Sequence, residues 1–396
     1  MVEKTDVLIV GAGQAGAYTA IALRHQGFTG SITMIGDEAN FPYERPPLSK
    51  EYFNGEKTFQ RLLIRPEIFW AEKEITLRTK ERVVSVDSAL HCVTTDKGET
   101  LHYDICIWAA GGQPRRLTCP GATLKGVYGF RTREDADAIL THLDKVENVV
   151  VIGGGYIGLE STSALIKKGK KVTLLEVGGR VLARVAGMTI SRYFETQHRE
   201  NGVDLRLGVG IDQLIGSESV EAVRLTSGEE IPCGMVIAGI GILPSVEPLL
   251  AAGAKGGNGV EINEFCQTSL PDVYAVGDCA LHYNRFANGA AVRLESVQNA
   301  NDQATIAAKV ICGKATAYEA VPWFWSNQYD IKLQTIGLST GYDEEVIKGD
   351  PTSHSFAVFY LREGRVIAVD CVNSAKDFVQ GRKLVLEKAD RAQLSV

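Results

Sequence analysis

No Cys-x-x-Cys pair occurs in this chain. Its eight cysteines, Cys92, Cys106, Cys119, Cys233, Cys266, Cys279, Cys312 and Cys371, are scattered. That spacing excludes the usual zinc, iron–sulfur and dithiol arrangements, so no metal centre is expected. The cysteines read mostly as small buried apolar residues. An excess of positive charge is also missing. The formal net charge is −6 at pH 7, which argues against general nucleic-acid binding but leaves room for a local basic patch. No apolar run approaches the ~18 residues that would span a bilayer. The first strand-like run begins at Val7, which leaves no room for a secretory or transit segment. These absences together point to a cytoplasmic protein with neither a nucleic-acid nor a membrane partner. At 396 residues the chain is too long for one compact core and should form two or three domains.

What is present is one glycine signature, twice. Gly11-Ala-Gly13-Gln14-Ala15-Gly16 follows the apolar run Val7–Val10, and Gly153-Gly-Gly155-Tyr156-Ile157-Gly158 follows Val149–Ile152. A lone Gly-x-Gly-x-x-Gly is a weak signal, but a strand before it and a helix after it make a dinucleotide site. The first glycine permits a tight turn, the second lets backbone approach a pyrophosphate, and the third lets helix and strand pack closely. The helix N-terminus offers N–H groups and a positive dipole end to the phosphates. An acid should follow about 20 residues on to bind a ribose hydroxyl, and Asp37 and Glu176 stand there. Glu176 repels a 2′-phosphate, and Val177-Gly-Gly179 supplies no adjacent cation. NADH is therefore expected over NADPH, with Arg180 the one cation able to reach back. Two dinucleotides in one chain suggest electron traffic between them.

The rest of the chain supports this order. Residues 40–50 form a loop stiffened by three prolines. Residues 83–108 read as sheet segments with a turn at Lys97-Gly98, ending in the apolar strand Ile105–Ala110 before Gly111-Gly112. The second unit of strand, helix and strand starts at 149, and strand-like segments are expected to continue to Gly239. Asp272–Asp278 is a short strand ending in Gly277-Asp278, followed by a helix over about 296–312. From 319 the texture changes. A strand at 331–338, a hairpin of Phe356–Leu361 with Arg365–Asp370 around Arg362-Glu-Gly364, and a helix over about 376–389 suggest a small α+β domain. Glu160 fits either a helix-dipole partner or a functional acid. Trp323, Phe324 and Trp325 fit either core or a cofactor edge.

Taken together, Gly11–Gly16, Pro42–Lys50, Gly153–Glu160, Tyr274–Asp278, Glu295–Ala300 and Pro322–Trp325 resemble the bacterial NADH-dependent ferredoxin reductases of oxygenase systems. The resemblance covers essentially the whole chain, and the Pro-Pro-Leu-Ser-Lys and Trp-Phe-Trp segments are its more specific parts. It implies an α/β, glutathione-reductase-like fold: two Rossmann-type dinucleotide-binding domains plus a C-terminal α+β domain. The implied FAD domain is 1–112 and 242–318, the NAD domain 113–241 and the C-terminal domain 319–396. The cofactors implied are FAD and NADH. The partner implied is a [2Fe–2S] ferredoxin, and through it a haem monooxygenase or Rieske dioxygenase.

The resemblance also assigns residues. Gly11, Gly13, Gln14, Ala15, Gly16, Asp37, Lys50, Val83, Ala110, Gly111, Arg131, Asp278, Val297 and Trp325 would contact FAD. Gly153, Gly155, Tyr156, Ile157, Gly158, Glu160 and Glu176 would contact NAD. Lys50, Glu160 and Trp325 would be catalytic. Arg293, Lys332, Lys376, Arg382 and Lys383 are candidates for docking an acidic ferredoxin. Dithiol relatives carry redox cysteines near residues 41–47, where this chain has none, so direct transfer from flavin to partner is the remaining route. Rubredoxin reductase, monodehydroascorbate reductase and an apoptosis-inducing-factor-like flavoprotein are the competing readings. The last would want a presequence and strongly basic surfaces.

Overall fold

The computed structural model describes residues 3–394. The chain divides into two compact units. The first contains Met1–Glu44, Phe59–Gln113 and Leu243–Pro322, and the second Arg45–Thr58, Pro114–Ile242 and Trp323–Val396. Among the described residues, no helix is long and apolar enough to cross a membrane.

The first unit is built on a parallel sheet. Its strands run Ile75–Arg78, Ile32–Ile35, Glu3–Val10, Thr100–Trp108 and Val273–Ala275 in spatial order. Two antiparallel strands, Cys92–Thr95 and Val83–Asp87, extend from the early part of Thr100–Trp108. Val7, Leu8, Ile9 and Val10 are all buried, as expected of a strand covered on both faces. The helix Gln14–His25 follows the first glycine turn and packs on the helix Val297–Ile311. Both bury alanines, Ala17 and Ala20 on one and Ala304 and Ala307 on the other, and small side chains allow close approach.

The second unit repeats the plan. Asp204–Leu207, Lys171–Glu176, Asn148–Ile152, Met235–Ala238 and Val127–Gly129 form a five-stranded parallel sheet in that order. The helix Tyr156–Lys167 follows the second glycine turn. The same unit holds an antiparallel sheet ordered Trp323–Gln328, Ile331–Gly337, Arg365–Val372, Ser355–Arg362 and Glu344–Asp350, with the helix Ala375–Leu386 packed on its central strands. The hairpin turn at Glu363-Gly364 has φ of 51° and 72°. Two positive values are what a tight two-residue hairpin turn needs.

Two of the longer helices depart from the sequence expectation. The strand-like reading carried through to Gly239 is corrected by the helix Met188–Glu200. Its buried positions Ile190, Tyr193, Phe194 and His198 have helical spacing, but buried Ser191 and Glu195 blur the apolar stripe. Its N-terminus has no cap of its own. Glu345 supplies one, accepting from Met188 N at 2.8 Å and from Thr189 Oγ at 2.6 Å. The helix Arg133–Leu143 was not anticipated either, although Thr132 and Asp135 form a complete capping box at its start.

The C-terminal sheet encloses a carboxylate. Asp370 is fully buried and accepts hydrogen bonds from Thr335 Oγ at 2.5 Å and Tyr360 Oη at 2.7 Å. Tyr360 Oη in turn accepts from Gly187 N at 3.0 Å. Burial pushes the Asp370 carboxyl from its usual 3.8 up to about 6. Folding therefore takes up a proton here, and this group's effect is to lower stability as pH rises from about 4 to about 6. Asp370→Asn is expected to gain stability relative to the parent as pH rises through that window. Urea denaturation at pH 4.5 and 7.5 measures this, and an unchanged difference between the two proteins would refute it.

Candidate functional site

The first glycine turn is sterically closed to side chains. Gly11 has φ of +115°, and a Cβ on it would lie 2.3 Å from the Ala109 carbonyl oxygen. One on Gly16 would lie 1.8 Å from the Gly11 oxygen. Ala109 and Ala110 thus run directly beside the turn. Gly13 caps the helix without a side-chain bond, and no acid occupies the first helical turn. The N-terminal N–H groups there are left for an anion. Gln14 donates to Asn301 Oδ1 at 2.9 Å, while its own Oε1 is buried without a hydrogen-bond partner among the described residues. Gly277, with φ of +81°, would clash with Ala15 if it carried a Cβ, so Asp278 stands close to the same turn. Val297 is the first residue of its helix. Asp37 is exposed and paired with Arg82 at 2.8 Å, and Val83 is buried beside that arginine in sequence.

The second turn repeats the geometry. A Cβ on Gly153 would lie 2.5 Å from the Gly239 oxygen, and one on Gly158 would lie 1.9 Å from the Gly153 oxygen. Gly155 differs, because a Cβ there meets nothing within 4 Å. Its missing side chain keeps open the space a pyrophosphate needs. Glu176 accepts from Gly154 N and Gly178 N, both at 2.6 Å. Each carboxylate oxygen keeps lone-pair capacity for a ribose hydroxyl. Arg180 is engaged elsewhere. It donates to the Ala186 and Ala183 carbonyls and to Ser191 Oγ at 2.6–2.9 Å. Tyr156 packs on Phe324 with ring centroids 4.5 Å apart, and Ile157 is exposed.

Lys50 and Glu160, far apart in sequence, form a buried ion pair at 2.5 Å. Pro46–Ser49 makes a single 3-10 turn that delivers Ser49 and Lys50 together. The loop is anchored by Tyr52, which donates to Asp137 at 2.5 Å, and by Phe53 against Phe130. Glu160 lies on the second glycine helix and is buried. Its Oε2 accepts from Ser49 Oγ at 2.9 Å and from Lys50 Nζ, and its Oε1 accepts from Ser326 Oγ at 2.7 Å. Ser49 and Ser326 were given no role by the sequence. Ser326 directly follows Trp325, but no spacing rule links it to Glu160. Trp325 is half-buried, its ring 5.5 Å from that of Trp323. Arg131 lies just before the capping-box helix, its N–H donating to Asp135 at 2.9 Å. Arg293 does not offer a docking charge. It donates to the Asp278 carbonyl and pairs with Glu295, both at 2.8 Å.

Comparison with known proteins decides the family. Residues 5–304 match the model described as pyridine nucleotide-disulphide oxidoreductase, and residues 323–395 match a reductase C-terminal model. The chain belongs to the pyridine nucleotide-disulphide oxidoreductase family. It is 54% identical to the 5,5'-dehydrodivanillate O-demethylase ferredoxin reductase subunit of a Sphingobium species, covering 98% of this chain and 96% of that protein. It is also 54% identical to a ferredoxin–NAD(P)(+) reductase of a Sphingomonas species, covering 97% and 93%. The crystal structure of a covalent putidaredoxin reductase–putidaredoxin complex superimposes with a TM-score of 0.94 at 40% identity, covering 97% and 93%. The fold is the glutathione-reductase-like one of ferredoxin reductases. The chain is a flavoprotein reductase of this kind, dependent on FAD and NAD(P)H. Both glycine turns fit dinucleotides by the steric test above.

Glu160→Gln removes the carboxylate bonded to Lys50 while keeping an acceptor for the serines. The expected cost is about 1–3 kcal/mol, from a largely desolvated ammonium left without its counter-charge. Chemical denaturation of the flavin-loaded protein reads it, and no loss would show that the pair is not stabilising.

Proposed function

We propose that this protein takes electrons from NADH and passes them singly to a [2Fe–2S] ferredoxin serving an oxygenase. The observation that carries this reading is a chain with two dinucleotide cradles and no cysteine between residues 41 and 50. A dithiol relay has no place to form, so electrons have to leave the flavin directly. Named relatives that serve an O-demethylase and putidaredoxin support the same partner class. We assign FAD to 1–112 and 242–318, NAD to 113–241, and the α+β domain to 319–396.

FAD, when bound, accepts two electrons as hydride and gives them up one at a time. The residues of this chain do the rest. The N–H groups at the start of helix Gln14–His25 hold the FAD pyrophosphate, with Ala110, Gly111 and Asp278 lining the same turn. Asp37 and Val83 serve the adenosine end, and Arg131 and Val297 further contacts. Gly153, Gly155 and Gly158 seat the pyrophosphate of NADH, and Glu176 its ribose. Alignment of the nicotinamide is the main catalytic contribution of this cradle. Lys50 supplies positive charge to the reduced flavin, and Trp325 supplies an aromatic surface. Glu160, fixed by Ser49 and Ser326, sets where the Lys50 ammonium sits. The coenzyme preference follows from charge. Glu176 disfavours a 2′-phosphate, and Arg180 is committed to carbonyls rather than to phosphate.

Stopped-flow mixing with NADH and then a [2Fe–2S] ferredoxin tests the proposal. Rapid bleaching of the flavin followed by ferredoxin reduction is expected, and a yellow protein that NADH does not bleach would sink it. NADH should exceed NADPH in kcat/KM. Glu176→Ala should cut that ratio by about tenfold, equivalent to about 1.4 kcal/mol. A ratio that Glu176→Ala leaves untouched would place the selectivity elsewhere.

A further inference from the structure

The proposed reaction leaves a proton to dispose of. NADH plus two oxidised one-electron acceptors yields NAD⁺, two reduced acceptors and one H⁺. Both electrons of the hydride depart, but its proton has to reach solvent. Nothing assigned so far to this chain does that.

A cavity of about 170 Å³ lies beside the Lys50–Glu160 pair. A water needs about 10–15 Å³ of such space, so the cavity has room for several. Lys50 and Glu160 form part of its lining, with side chains only 13% and 2% exposed. Glu56, Lys167 and Asn327 line it too and are exposed, so the same cavity reaches solvent. Its lining is polar apart from Ala164. One member, Asn54, carries a buried Oδ1 with no hydrogen-bond partner among the described residues, and such an acceptor is ordinarily satisfied by water. The charged members are three carboxylates, Glu51, Glu56 and Glu160, and two ammoniums, Lys50 and Lys167. That balance disfavours an anion as occupant. Lys50 Nζ bonds Pro46 O at 3.3 Å and Glu160 Oε2, which leaves one of its three N–H groups for the cavity or the flavin.

We infer that this cavity is a water-filled proton exit, carrying H⁺ from Lys50 and Glu160 to the surface at Glu56 and Lys167. The inference rests on the reductase reading and adds a route to it. Lys50 would take up the proton that reoxidation of the bound flavin releases while giving one of its own N–H protons to Glu160 or to a cavity water, so one N–H bond forms as another breaks and its charge is unchanged. No electron passes along the route, and no bond other than N–H and O–H forms or breaks.

Two variants close the cavity without touching the ion pair. Asn54→Leu replaces the orphaned acceptor with an apolar group, and Ala164→Leu fills the space from the helix side. The flavin-loaded protein is reduced by NADH, then oxidised with ferricyanide in the presence of a pH-indicator dye. Bleaching by NADH should match the parent, because hydride transfer consumes no solvent proton. Dye-detected proton release should slow by at least about tenfold, less than the ~10²–10⁴ expected for loss of a positioned proton-transfer group. It should also acquire a larger solvent deuterium isotope effect. A crystal structure of the parent should show ordered waters from Glu160 to bulk, interrupted in Asn54→Leu. Unchanged proton release in whichever variant folds, or a dry cavity in the parent, overturns the proton exit and leaves the reductase reading standing. A parent that NADH does not bleach overturns both.

Discussion

One buried carboxylate organises the second unit. Glu160 receives hydrogen bonds from Ser49, Lys50 and Ser326. These donors come from a proline-rich loop and from the first strand of the C-terminal sheet, while the acceptor sits on the second glycine helix. A carboxylate removed from water is costly unless its lone pairs are filled and its charge is paired. Here both conditions hold, and only when all three segments are in place. The loop 45–58 accordingly groups with residues 114–242 and 323–396, although the chain on both sides of it belongs to the first unit. Local prolines shape the loop, and the carboxylate fixes where its end is held.

The two cradles share a strand order and a steric logic, yet their acids are held differently. Asp37 is solvent-exposed and paired with another exposed side chain, Arg82. Glu176 bonds two backbone N–H groups, one inside the glycine turn itself. The second acid is thus built into the turn it serves. The first is free to trade its arginine for a ligand hydroxyl at small cost, since exposed pairs contribute little.

Much of this was legible in the sequence because it is written in backbone geometry. Gly11, Gly16, Gly153 and Gly158 are where a Cβ would collide with a carbonyl oxygen, and collisions of that kind leave glycine as the solution at any such turn. The terminal hairpin was equally readable, from Glu363-Gly364 and the alternation around it. What escaped notice depends on side chains that meet only after folding. Ser49 and Ser326 are ordinary serines until Glu160 lies between them. The helix Met188–Glu200 was hidden by polar residues on its buried face and by a cap contributed from residue 345. The helix Arg133–Leu143 did carry a local signal, Thr132 with Asp135. Arg293 shows the opposite failure. A charge read as surface turned out to be spent internally, on the Asp278 carbonyl and Glu295.

The borrowed cap has an evolutionary corollary. Helix Met188–Glu200 begins on Gly187, whose N–H is bonded to Tyr360, while the next two residues rely on Glu345. A crossover that exchanged the C-terminal segment between distant homologues would separate these partners and leave a helix end with unsatisfied N–H groups. A chimera joined near residue 322 keeps this helix end capped only if the parent supplying the C-terminal segment also places a carboxylate at 345 and a hydroxyl at 360.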